Sequence, residues 1–108
     1  MNTTLLLLFT AALFEAGGDA LVRSGMRAPV TATKVIFFLA GAVVLFAYGY
    51  VVNSPSWDFG RLIGVYIVFF FIIAQLINWL VFHQPPGRAL VIGGAFIVAG
   101  GAIISYGA

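Results

Sequence analysis

The chain has 108 residues, 63% of them hydrophobic and 7% charged, with a formal net charge of +2. A soluble domain of this size needs a polar shell that so few ionisable groups cannot supply, so the bilayer is the expected solvent and the basic residues make no patch for nucleic acid. Cysteine is absent, which removes disulfides, thiolate nucleophiles and thiolate metal ligands. His83 alone makes no metal site, and neither a metal nor a cofactor is expected.

Cutting the chain at its charges and prolines leaves four apolar runs, residues 3–22, 35–52, 62–82 and 89–107. Each is close to the ~20 residues a helix needs to cross about 30 Å of hydrocarbon. The expectation is an all-α membrane protein: one domain over residues 1–108, built as a bundle of four transmembrane helices with short loops.

The first run follows Met1-Asn2-Thr3-Thr4, which has no Lys or Arg, and it contains Glu15 and Asp19. It reads as a retained helix and not as a cleaved leader. Glu15, Asp19, Arg23 and Arg27 recur every four residues, so they sit on successive turns of one slowly drifting face. Glu15 is the deep member, roughly 10 Å inside the run's end at about 1.5 Å per residue. An ionised carboxylate there costs roughly 3 kcal/mol on insertion scales unless it is paired or hydrated. Two readings follow. Glu15 is a proton-exchangeable acid, with Asp19 as its neighbour anchored to Arg23, or all four form a structural polar seam between helices. Gly17-Gly18 leaves room for another helix beside Glu15.

The first joint, Arg23 to Lys34 with Pro29, leads to the second run, and Asn53 to Arg61, with Asn53-Ser54-Pro55, leads to the third; proline ends helices and fixes turns. Gly60 and Gly64 fit G-x-x-x-G and read as internal packing. Tyr66 places a hydroxyl and a π face near mid-bundle, for Glu15, for a cation or for packing. Phe69-Phe70-Phe71 points in all directions and is expected against lipid. Gln75 and Asn78, three apart, read as amides bonding to a neighbouring helix, with substrate contact as the other role. After His83 to Arg88, with Pro85-Pro86, the fourth run pairs Gly93 with Gly100 and Gly94 with Gly101 at seven-residue spacing. That ridge marks a helix interface within the subunit or between subunits.

Arg23, Arg27, Lys34 and Arg88 fall at one end of the bundle, and Arg61 at the other. The basic end should be cytoplasmic and both termini outward. Trp57, Trp79, Tyr50 and Tyr106 lie near run ends, where amphipathic rings anchor at headgroups.

Glu15-Ala16-Gly17-Gly18 followed by Arg23 resembles the first-helix pattern E-x-x-G-x-x-x-x-[KR] of the small multidrug resistance family. Trp79, Gln84, Ile92-Gly93, Ile97, Ala99-Gly100 and Ile103-Ile104 resemble the close of that family's third helix and its fourth-helix dimer ridge. Thr3-Thr4-Leu5-Leu6 and the outward termini are similar to its third branch, the UPF0060 membrane proteins. The resemblance implies a multi-pass protein of the bacterial cytoplasmic membrane. It also implies proton-coupled export of small organic cations by a dimer whose two glutamates share one site. By that carry-over Glu15 is the shared ligand, Gly18 gives it room, and Gly93 and Gly100 hold the dimer. Where the family has a tryptophan and then a glycine run in helix three, this sequence has Tyr66-Ile67-Val68-Phe69-Phe70. The second reading is therefore a non-transporting accessory subunit, packed through its glycine faces against a different membrane protein. With no nucleophile-base set, metal cluster or phosphate loop in the sequence, an enzyme is not expected.

Overall fold

The computed structural model describes residues 3–107; Met1 and Asn2, which entered the leader argument, lie outside them. Four α-helices follow in order: α1 Thr3–Arg27, α2 Thr31–Val52, α3 Phe59–Leu80 and α4 Arg88–Gly107. Each is long and apolar enough to cross a membrane. No strand occurs among the described residues.

The helix ends differ from the expected ones at the charges. α1 continues past Val22 to Arg27, and α2 begins at Thr31 and not at residue 35. A basic side chain leaves the backbone free to stay helical while its long stem carries the charge outward. What stops α1 is Pro29, which cannot continue the ladder. Lys34 Nζ then donates to the carbonyls of Gly25 and Met26 at 2.9 and 3.1 Å, satisfying acceptors that a helix end leaves open. α3 begins at Phe59, before Arg61, because Asp58 caps it by accepting the Arg61 amide at 3.1 Å. It ends at Leu80, short of residue 82. There His83 takes the left-handed region at φ 59°, and the Gln84 amide donates to the Asn78 carbonyl at 3.0 Å.

α1 is the centre of the arrangement. It packs against both α2 and α3, and α4 joins by packing on α3. The extents of 49 × 34 × 21 Å describe a slab about two helix diameters thick. The core brings Leu8, Ala11, Ala12 and Ala16 of α1 against Leu62, Val65, Tyr66 and Ile73 of α3, with Val52 of α2. Small residues on α1 allow these close approaches, since packing contact and not escape from water holds helices together in lipid. Gly18 and Gly41 face each other across the α1–α2 seam: a methyl on Gly41 would lie 3.2 Å from the Gly18 carbonyl oxygen and 2.8 Å from Val22 Cγ2.

The phenylalanine run is half-buried in helix contacts and not spread against lipid, against expectation. Phe69 and Phe70 pack on the core, and Phe71 lies where a side chain on Gly94 would meet it. α3 touches α1 on one flank and α4 on another, and the rest of its girth, with Ile67, Ile72 and Leu76, belongs to the lipid-facing surface. Exposed apolar side chains such as Ile36, Phe46 and Phe96 supply that surface from α2 and α4. Trp57, expected as a simple anchor, carries the Arg61 guanidinium over its ring at 4.0 Å, and Arg61 Nη2 also donates to the Ser105 carbonyl at 3.3 Å. That clasp ties the 53–58 loop and the start of α3 to the end of α4.

Candidate functional site

Glu15 lies on the α1 face that also carries Leu8, Ala11 and Ala12 toward α3, at offsets of seven, four and three residues. Across the seam Tyr66, 3% exposed, donates its hydroxyl to Glu15 Oε1 at 2.7 Å. The same hydroxyl lies 3.5 Å from the Ala11 carbonyl. A phenol on a carboxylate oxygen is among the stronger hydrogen bonds when the acid is ionised. The Tyr66 ring is tilted against Tyr48 of α2 at 5.7 Å and against Phe70 at 6.2 Å. Three helices therefore contribute to the surroundings of one acid.

One turn toward the basic end the seam opens into a cleft of about 300 Å³ lined by Asp19, Arg23, Phe70, Ala74, Ile77, Asn78 and Phe82. Asp19 is exposed there. The expected Asp19–Arg23 pair is absent: the Arg23 guanidinium instead sits 5.5 Å over the Phe82 ring, an aromatic face within cation–π range. The turn after α3 carries Phe82 to the end of α1, and this is what draws the guanidinium off its own helix.

The two amides of α3 do not bond to a neighbouring helix. Asn78 Nδ2 donates to the Gln84 carbonyl at 3.2 Å, stabilising the turn that follows α3. The Gln75 Oε1 atom is buried without a partner, in an apolar cleft of about 600 Å³ between α3 and α4 that Trp79 and Gly94 also line. Positions three apart are displaced by about 60° around a helix, enough here to send one residue to each neighbour of α3.

The α4 ridge divides in two. Gly94 and Gly101 are buried against Phe71 and Val68 of α3, whereas Gly93 and Gly100 have nothing within 4 Å of an added methyl. Gly64 is covered by Ile104, as internal packing requires, but Gly60 meets Asp58 and no other helix. Gly18 is approached by Leu45, while Gly17 faces open space. Tyr48 was not singled out from the sequence. Its signal is the stripe Gly41, Leu45, Tyr48 and Val52, spaced four, three and four residues, which is the face α2 turns to α1.

Four apolar spans, a lipid-sized exposed apolar surface and a phenol-bound carboxylate in a helix seam define a small multi-pass integral membrane protein. The chain belongs to the UPF0060 family of membrane proteins: residues 1–108 match the family described as "Uncharacterised BCR, YnfA/UPF0060 family". It is 31% identical over 102 residues to a UPF0060 membrane protein of Herpetosiphon aurantiacus, covering 93% of this chain and 90% of that one. It is 33% identical over 107 residues to the UPF0060 membrane protein YfjF of Bacillus subtilis, covering 98% and 95%. A UPF0060 membrane protein of Nocardia farcinica is 34% identical over 104 residues, covering 95% and 91%. No solved structure matches the chain.

Proposed function

We propose that this protein exports small organic cations in exchange for protons, as a homodimer of the small multidrug resistance type, in the bacterial cytoplasmic membrane. The observation that carries the reading is the Glu15 carboxyl held at the α1–α3 seam by the 2.7 Å hydrogen bond from Tyr66. An intramembrane acid that faces the bundle interior is costly to keep and marks an ion or proton pathway by default. Coupling needs no more than competition: a site that holds either protons or a cation, and reorients in one of those states, exchanges one for the other. Phe70, which lines the adjoining cleft, adds an aromatic face on which a desolvated cation can rest. The open Gly93–Gly100 line supports pairing of two copies through α4, which brings a second Glu15 into the assembly.

The stiffness of α3 favours a second reading, a non-transporting subunit of a larger complex. Tyr66 and Ile73 are buried and Phe69 and Phe70 packed, with no glycine among residues 65–74 at which the helix could bend. Reconstitution in liposomes under a proton gradient separates the two. Flux of a guanidinium or quaternary ammonium ion should fall at least about tenfold, a loss of ~1.4 kcal/mol of barrier lowering, in Glu15→Gln. Flux equal in both proteins, with a larger partner co-purifying, would replace the transporter with the accessory subunit.

A further inference from the structure

We propose that the cleft beside Glu15 binds a small zwitterion, its cationic group on Asp19 and its anionic group on Arg23. Both residues line one cavity of about 300 Å³, a volume at the small end of ligand pockets. Neither is satisfied by the protein. Among the described residues Asp19 has no ion pair or hydrogen bond, and Arg23 rests over the Phe82 ring with no acceptor. Charges next to hydrocarbon are normally paired with one another or with backbone. These two are one helical turn apart, and the aromatic contact of Arg23 keeps them from closing on each other.

A ligand with one sign of charge would relieve one of them and be repelled by the other. A zwitterion relieves both. Four residues of helix separate the two positions by about 6 Å along the axis, so the ligand's charges should be separated by a short chain. The walls suit that chain: Phe70 and Ile77 are apolar, and Asn78, whose amide nitrogen is committed to Gln84, keeps its oxygen as an acceptor for the cationic end. The assignment rests on the exchange reading for the ligand's onward route to Glu15, and binding is measurable without transport.

The amine and phosphate of a phosphatidylethanolamine headgroup present the same pair of charges as a soluble zwitterion. The test uses the full chain in an uncharged detergent, with calorimetric binding of γ-guanidinobutyrate and of butylguanidinium, which share a cation and a chain and differ in the carboxylate. The acid-bearing ligand should bind about tenfold more tightly, the scale of one hydrogen bond to a charged group. Arg23→Gln should bring the ratio to about one without weakening butylguanidinium, Arg23→Lys should keep most of the preference, and Asp19→Asn should weaken both ligands. Equal affinities in the natural protein, or a preference that survives Arg23→Gln in a variant with unchanged thermal unfolding, overturn the proposal. Phosphatidylethanolamine that competes with γ-guanidinobutyrate in the natural protein identifies a headgroup as the occupant; no competition identifies a soluble one. If the preference is missing while Glu15-dependent cation flux persists, the zwitterion site falls and the exchange reading stands.

Discussion

One hydroxyl holds the acid at the centre of this protein. Tyr66→Phe removes the donor and leaves the ring, so its packing on Tyr48 and Phe70 should survive while Glu15 Oε1 loses its partner. The expected result is a fall of several-fold in Glu15-dependent flux and a loss of about 1–3 kcal/mol in stability, read by transport assay and by thermal unfolding in detergent. Unchanged flux would take Tyr66 out of the site. At this scale the sequence carries Glu15 and offers Tyr66 as one of its partners, while the partner of Arg23 is not legible. Glu15 stands out because a carboxylate in an apolar run has few bland explanations. Tyr66 is readable as a hydroxyl near mid-bundle, and the packing of α3 on α1 selects Glu15 from among its three possible roles. Asp19 and Arg23 are the contrary case. A four-residue spacing permits a pair, and an aromatic ring brought in by a distant turn takes the guanidinium instead.

Glycine does different work on different helices, and substitution separates the cases. Gly41→Leu would drive a side chain into Val22 and the Gly18 carbonyl, backbone that cannot give way as a flexible side chain can. It should cost about 1–3 kcal/mol, as overpacking of a close seam does, and lower the unfolding temperature of the isolated subunit. Gly93→Leu with Gly100→Leu meets open space within the subunit, so the monomer should unfold as before while the proposed dimer, read by crosslinking or sedimentation, disappears. A double variant that stays dimeric would move the interface off α4. Helix existence is plain from apolar length, and the ends are not, because cutting at the charges breaks helices that basic side chains leave intact. Proline at position 29 and the cap at Asp58 set those ends, and both are readable residues. The division of the α4 glycines into a covered and an open line follows from the α3 side chains that lean on it. Phe71 and Val68 decide that, and nothing within α4 does.

At the level of the whole molecule, Arg23, Arg27, Lys34 and Arg88 gather at one end. With α1 and α3 running one way and α2 and α4 the other, that end should face the cytoplasm. Reporters fused after Tyr106 should then be active only where they work outside the cytoplasm, in every copy, and a mixed population would require opposed subunits in the dimer. The order in which helices meet, α2 on α1, α1 on α3, α3 on α4, is not the chain order, which is why pairing by short loops alone does not reach it. The slab these contacts make is 21 Å through its narrow dimension, about the width of two helices. A body that thin has no interior distant from its surroundings: a single rod stands between the central carboxyl and whatever lies alongside. The company this subunit keeps, lipid tail or second subunit, therefore sets the dielectric in which its acid works, and the chemistry of Glu15 belongs to the assembly as much as to the chain.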